Sequence, residues 1–197
     1  LQLALATSMI ANDGVKMRPH LVKEITDIVT RESRETIKEI KAEAVAKPEN
    51  IAVIKKALVG VNVEGTGANA FRGAPYVAAG KTGTAQVFTV KQNEKYNAAR
   101  TAERLRDHAL YMAYAPADKP SIALALVVEN AGFGGAAAAP VARRVFDYWL
   151  LGKLPTPEDL AAVQKGQATA PLGTPPAAAA SAARAAASAA ASAVQPD

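Results

Sequence analysis

The chain has no cysteine among its 197 residues, which excludes disulfide bonds and thiolate metal sites. Histidine occurs twice. His20 has no partner at metal-ligand spacing, and His108 lies at the start of a predicted strand, where we expect a structural role. Aromatic residues make up only 5% of the chain, and no apolar run approaches the roughly 20 residues of a membrane-spanning helix. We therefore expect no metal site, no cofactor and no membrane span within this sequence.

Positive charge is only slightly in excess of negative charge. The formal net charge is +5, and the lysines and arginines are interleaved with acidic residues. This pattern argues against a nucleic-acid interface, which needs a concentrated basic patch. A mildly basic surface suits an anionic partner such as a cell-wall polymer or membrane headgroups.

The chain starts at Leu1 inside a helical pattern with no capping residue before it, so we expect a piece of a longer chain.

Hydrophobic periodicity and turn residues predict a mixture of helices and strands. Helices are predicted over residues 1–12, 48–61 and 138–151, and strands over 17–29, 36–45, 109–115 and 121–129, with a further strand around residue 81. We expect the two early strands to form a peripheral hairpin whose turn lies at residues 31–34.

Apolar stripes predict which helix faces are buried. The stripes are Leu1, Leu5 and Met9 in the first helix, Ile51, Ile54, Leu58 and Val61 in the second, and Val141, Val145, Tyr148 and Trp149 in the last. Both faces of the last two strands are apolar, so we expect the sheet to be covered on both sides.

The composition changes near the C-terminus. From Pro155 onward the chain is rich in alanine and proline and contains almost no large apolar residue. Such a segment buries too little surface to offset the entropy lost on ordering. We therefore predict a domain over residues 1–152 and a disordered Ala/Pro-rich tail over 153–197.

One short motif stands out within the strand around residue 81. Lys81 lies in a small, apolar, β-compatible run, flanked by glycines and followed by Thr82, Gly83 and Thr84. The glycines allow another backbone or a ligand to approach. The pattern suits an anionic or carbonyl-bearing ligand, and the alternative is a solvated lysine on an edge strand. Since side chains alternate along a strand, a twist or bulge at Gly83 is needed to bring Lys81 and Thr84 onto one rim.

The residues Lys81-Thr82-Gly83-Thr84 fit the K-T-G box of serine penicillin-binding proteins and β-lactamases. The polar segment 96–108 and the segments before the box, from residue 1 to 21, resemble the penicillin-binding protein 2 family, the class B transpeptidases of cell elongation. The resemblance covers roughly residues 1–152. The septal transpeptidases are the nearest rival, and segment 96–108 favours the elongation enzymes.

The resemblance implies an α+β fold of the serine β-lactamase/transpeptidase type, with a central antiparallel sheet and helices on both faces. This chain would carry the last strands and the terminal helix. Lys81 and Thr84 are the implied catalytic residues, Lys81 through its charge and Thr84 through a backbone N–H that donates to the oxyanion. Thr82, Gly83 and Thr84 are the implied substrate-binding residues. The glycine-rich loop at residues 65–70 is expected to support the site.

The implied activity is D,D-transpeptidation. A serine attacks the penultimate D-Ala carbonyl of a stem peptide and releases the terminal D-Ala, and an amine of a neighbouring stem peptide then resolves the acyl-enzyme. β-Lactams acylate the same serine. None of the motifs S-x-x-K, S-x-N and S-x-D occurs in the chain, so the nucleophile and its base are missing. We therefore expect the chain alone to be inactive. The implied partners are the stem peptide, β-lactam antibiotics, and a membrane glycosyltransferase and scaffold of the elongation complex. The implied location is the periplasmic face of the inner membrane, with an anchor upstream. The alternative is a non-catalytic β-lactam-sensing or interaction module.

Overall fold

The computed structural model describes residues 1–35, 40–41, 46–88, 96–97 and 100–158. Its helices are α1 (Gln2–Ala11), α2 (Pro48–Val63), α3 (Ala68–Phe71) and α4 (Gly134–Leu151). Its strands are β1 (Lys16–Met17), β2 (Glu24–Thr26), β3 (Ser33–Glu35), β4 (Ile40–Lys41), β5 (Ala79–Ala85), β6 (His108–Ala115) and β7 (Ile122–Val128). The fold is α+β, as the sequence predicts. Within the described ranges, no helix is long and apolar enough to cross a membrane.

The central sheet has the order β5-β6-β7, and both strand pairs are antiparallel. The register between β5 and β6 is continuous from the pair Ala79–Tyr114 to the pair Ala85–His108. The short strands β1 and β4 form one ribbon, and β2 and β3 form another. The central sheet is therefore a plain meander that ends, on one side, at β5.

Helices pack on both faces of this sheet. On one face, Tyr111 and its neighbours on β6 pack against α3 and α4, with Phe71 and Phe146 in the centre of the cluster. The ring centroids of Phe71 and Tyr111 are 6.0 Å apart. On the other face, Tyr114 packs with Leu58 of α2 and Ala11 of α1. The predicted architecture of an antiparallel sheet between helices is confirmed.

Coverage of the second face is incomplete in the described part of the chain. α1 and α2 cover the end of the sheet near Tyr114, whereas Leu110 and Met112 are only partly buried and Val127 is 58% exposed. Within the described residues, the prediction that both faces are covered therefore holds near Tyr114 but not at the end of the sheet that carries Lys81. The apolar alternation of β7 correctly indicated that both faces could be buried, but the sequence did not show how far the helices reach.

The predicted buried stripe of α4 is wrong. Val141, Val145, Tyr148 and Trp149 are all exposed, Trp149 to 44%. The buried face instead consists of small residues, Phe146 and an ion pair: Gly134, Ala138, Ala139, Pro140, Ala142, Arg143, Phe146 and Asp147. Alanine side chains let the helix backbone approach the sheet closely, and the two charges can be buried because they neutralise each other.

The stripes predicted for α1 and α2 are only partly correct. Leu1 is 88% exposed, and the buried positions of α1 are Thr7 and Ala11. Thr7 tolerates burial because its hydroxyl donates to the Leu3 carbonyl at 2.7 Å. In α2, Ile51 and Leu58 are buried as predicted, Ile54 is exposed, and Asn62, which lies outside the predicted stripe, is buried. In both helices the buried face thus includes a hydrogen-bonded polar residue that the apolar stripe did not contain.

The early strands do form a hairpin, as predicted, but its turn lies earlier in the sequence than predicted. Ser33 and Arg34, predicted as turn residues, lie in β3, and the chain reverses over residues 27–32 instead. The Asp27 carboxylate accepts hydrogen bonds from the backbone N–H groups of Val29 and Thr30, which stabilises this earlier turn and holds the pKa of Asp27 below its usual value. Parts of the predicted second arm, residues 36–39 and 42–45, and the tail from residue 159 lie outside the described residues.

Candidate active site

The K-T-G box lies on β5 without a bulge. Lys81, Thr82 and Gly83 pair with consecutive residues of β6, so the alternation of side chains is regular. Lys81 and Gly83 therefore point to one face of the sheet, and Thr82 and Thr84 point to the other. The twist or bulge at Gly83 that would put the Lys81 and Thr84 side chains on one rim is absent.

Lys81 and Thr84 are instead related through the free edge of β5. Within the described part of the chain, β5 pairs only with β6, so every second residue presents its N–H and C=O to an open edge. A Cβ atom at Gly134 would overlap both the Gly83 and the Leu110 carbonyl oxygens, so this pair directs its backbone groups between β5 and β6. Thr82 and Thr84, one residue to either side of Gly83, therefore direct theirs to the open edge. The Lys81 ammonium donates to the Thr82 carbonyl at 2.7 Å, so it lies at the same edge to which the Thr84 N–H points.

The side chain of Lys81 is solvent-exposed on the incompletely covered face. It forms no ion pair with any described residue. Leu110 and Met112 lie on the same face and are half-buried. A positive charge beside an apolar surface, whose one partner within the described ranges is a neighbouring carbonyl, is available to a ligand that carries negative charge.

Hydroxyl groups occupy the opposite face of the strand. The Thr82 and Thr66 hydroxyl oxygens are 2.7 Å apart, and Thr84 is exposed. Thr66 belongs to the glycine-rich loop between α2 and α3, which the sequence predicted to support the site. The loop and the box are thus joined by a direct hydrogen bond.

A buried polar network holds the chain at Ala78, the residue just before β5. The Asn62 side-chain N–H donates to the Ala78 carbonyl at 3.0 Å, and its side-chain oxygen accepts from the Tyr111 hydroxyl at 2.6 Å. Tyr111 is fully buried, and burial raises the pKa of its hydroxyl. Sequence reasoning missed Asn62 and Tyr111. The one available signal was a polar residue on the buried side of α2.

Gly80 leaves room for this network. A Cβ atom at position 80 would overlap the Tyr111 hydroxyl and would lie 2.9 Å from the Met112 carbonyl oxygen. We expect Gly80→Ala to destabilise the protein by about 1–3 kcal/mol, because the overlap displaces either β5 or the Tyr111 ring. Chemical denaturation measures the loss. In a Tyr111→Phe background the added loss should be smaller, and strict additivity of the two changes would contradict the predicted overlap.

Other residues considered for the site have structural partners. The Tyr96 hydroxyl accepts a hydrogen bond from the Asp107 N–H at 3.2 Å, and its ring lies 6.3 Å from that of Phe88. His108 Nδ1 accepts from the Asn130 N–H at 2.9 Å. Arg104 is exposed in a single 3-10 turn. Residues 89–95 and 98–99 of the same segment lie outside the described part. No cluster of metal-ligating side chains occurs among the residues that are described.

Comparison with known proteins gives a consistent result. Residues 1–147 match the family described as the penicillin binding protein transpeptidase domain. The chain is 43% identical over 162 residues to the peptidoglycan D,D-transpeptidase MrdA of Haemophilus influenzae, covering 80% of this chain and 24% of the relative. It therefore spans about a quarter of the length of the curated relatives it matches.

Solved structures agree. PBP2 of Pseudomonas aeruginosa, in complex with WCK 5153, has a TM-score of 0.59 and 34% identity, covering 76% of this chain and 29% of that one. Penicillin-binding protein A of Mycobacterium tuberculosis, as an imipenem acyl-enzyme complex, has a TM-score of 0.54 and 30% identity, covering 71% of this chain and 28% of that one. The resemblance expected from the K-T-G box is confirmed, and the chain belongs to the penicillin-binding protein transpeptidase domain family.

Proposed function

We propose that this chain supplies the substrate-binding strand of a serine D,D-transpeptidase that cross-links peptidoglycan stem peptides and is acylated by β-lactams. The observation that carries the proposal is the edge of β5 that is unpaired among the described residues, where the Lys81 ammonium contacts the Thr82 carbonyl. Relatives named peptidoglycan D,D-transpeptidase and a solved acyl-enzyme complex support the same reaction class.

Each residue of the box has a role that its geometry suits. An extended stem peptide would add to the open edge of β5 through main-chain hydrogen bonds. Gly83 has no side chain to obstruct the peptide. The Thr84 N–H would donate to the oxyanion that forms when the scissile carbonyl is attacked, an interaction that typically accounts for about 10²–10³ in turnover. The Thr82 and Thr84 hydroxyls would bind the terminal carboxylate, and Lys81, on the other face of the strand, would supply positive charge to the cleft.

The nucleophile is proposed to come from sequence outside these 197 residues. The three described serines make local hydrogen bonds: Ser8 donates to the Leu5 carbonyl, Ser33 pairs with Thr26 in the hairpin, and Ser121 donates to the Ala115 carbonyl. No serine in the chain carries the S-x-x-K spacing. The incompletely covered face beside Lys81 is where we place the helix that bears the serine.

The organisation around this site is also a proposal. Residues 1–152 would form the C-terminal part of the transpeptidase domain, and 153–197 a separate tail. The matched family ends at residue 147, which supports a boundary near this point. We place the domain at the periplasmic face of the inner membrane, anchored by an upstream segment. Its partners there would be a membrane glycosyltransferase and a scaffold protein of the elongation complex.

Labelling with a fluorescent penicillin tests the proposal. The full-length gene product that contains this chain should form a covalent adduct that survives denaturation, and excess unlabelled penicillin should prevent it. The chain alone should remain unlabelled, because it contains no nucleophile. A folded full-length protein that forms no adduct at saturating penicillin would contradict the proposal.

A further inference from the structure

Thr66 lies outside the K-T-G box, yet its side chain contacts the box directly. The Thr66 and Thr82 hydroxyl oxygens are 2.7 Å apart, although the residues are 16 positions apart in sequence. Thr66 is exposed, and Thr82 is half-buried. A ligand that lies along the open edge of β5 can therefore reach the pair.

The position of Thr66 is set by its surroundings. A Cβ atom at Gly67 would overlap the Asn62 side-chain oxygen, and the Gly67 N–H donates to the Val61 carbonyl at 2.9 Å. On the other side, the Thr66 carbonyl packs so closely on the first turn of α4 that a Cβ atom at Gly135 would lie 2.5 Å from it. The loop is thus held between α2 and α4, and the contact with Thr82 follows from this packing.

The direction of the hydrogen bond matters for ligand binding. A threonine hydroxyl has one proton to donate and can accept two hydrogen bonds. Thr82 can donate to a carboxylate only if it does not donate to Thr66. When a carboxylate is bound, Thr66 must therefore be the donor and Thr82 the acceptor within the pair. A hydroxyl that accepts one hydrogen bond is polarised and donates the next one more strongly.

We propose that Thr66 is a positioning residue for carboxylate recognition by the K-T-G box. Its hydroxyl donates to Thr82 and orients the Thr82 proton toward the ligand carboxylate. This inference rests on the proposed function and adds a residue of the α2–α3 loop to it. Thr66 acts only on the carboxylate-binding end of the ligand, so it contributes to ligand selectivity and not to the acyl-transfer step itself.

The test compares a carboxylate ligand with its neutral counterpart. Acylation rates of the full-length gene product are measured with benzylpenicillin and with benzylpenicillin methyl ester, for the wild type, Thr66→Val and Thr66→Ser. We expect Thr66→Val to slow acylation by benzylpenicillin by up to about tenfold, the upper end of the typical effect of one hydrogen bond between neutral groups. Acylation by the ester should be unchanged, and Thr66→Ser should retain the wild-type ratio of the two rates.

Other outcomes would overturn the proposal. If Thr66→Val slows acylation by benzylpenicillin and by its methyl ester equally, then Thr66 has only a structural role. The same holds if Thr66→Ser does not keep the wild-type ratio of the two acylation rates. Melting temperatures of the variants identify a general loss of fold. If wild-type protein is not acylated at all, the proposed function fails and this inference fails with it. If wild-type protein is acylated but the ratio is insensitive to Thr66, only this inference fails.

Discussion

Replacing Asp147 with alanine is expected to lower the free energy of unfolding by about 3–5 kcal/mol, because the change leaves a buried guanidinium without its counter-ion. Arg143 is only 1% exposed, and its Nε lies 2.8 and 2.9 Å from the two carboxylate oxygens of Asp147. The Tyr76 hydroxyl donates to the same carboxylate at 2.7 Å. The alanine variant therefore loses an ion pair and a charge-assisted hydrogen bond at once.

Denaturant titration of the full-length gene product measures this effect. Asp118→Ala is the matched control, since Asp118 is exposed in the turn between β6 and β7, and it should change stability by no more than about 0.5 kcal/mol. The double replacement Arg143→Met with Asp147→Leu should recover much of the loss, because no charge remains buried. Equal effects of Asp147→Ala and Asp118→Ala would contradict the structural role assigned to the pair.

The ion pair also stabilises the segment that leads into the K-T-G strand. Arg143 donates to the Ala70 carbonyl at 3.2 Å, and its guanidinium lies 5.8 Å from the centre of the Tyr76 ring. Tyr76 immediately precedes the residues that enter β5. Loss of Asp147 should therefore disturb the entry to β5 as well as the packing of α4.

Replacing Lys81 with alanine is expected to slow acylation by penicillin at least about a hundredfold, with little change in melting temperature. The rate should fall because Lys81 is the cation that the structure places at the open edge of β5. Stability should be maintained because the side chain is exposed and, among the described residues, donates to the carbonyl of the next residue alone. The second-order rate constant of labelling by fluorescent penicillin is the measurement.

The matched control for this variant is Lys119→Ala. Lys119 is an exposed lysine in the turn between β6 and β7, so its removal lowers the net charge equally without changing the site. Its labelling rate should equal that of the wild type. An unchanged rate in Lys81→Ala would show that the charge of the box is not used, and the assignment of β5 as the substrate-binding strand would then fail.

The fold could be predicted from sequence where local signals and packing agree. β6 and β7 alternate in apolar character and are joined by a proline-containing turn, so their bounds were predicted to within a residue or two. α4 was predicted as a helix, but its orientation was not. Periodicity favours the stripe with the largest apolar residues, whereas α4 buries alanines and a neutralised ion pair, Arg143 with Asp147. Only the tertiary partners of these charges make their burial possible.

In the candidate site, too, some residues could be predicted from local sequence and others could not. Lys81 to Thr84 could be singled out because a lysine between glycines in an apolar strand is unusual, and because four adjacent residues match a known box. Thr66 and Tyr111 could not be assigned in this way. Their hydrogen bonds join residues 16 and 49 positions apart, and no local pattern encodes such a pairing.

The open edge of β5 has a consequence for the behaviour of the molecule in solution. A strand that stays unpaired to receive an extended peptide is also a template for the same strand of another copy. Two such edges brought together would place two Lys81 ammonium groups near one another, and like charges across strands repel. Under the proposed function, the same lysine that attracts a ligand to this edge would also discourage edge-to-edge association of two copies.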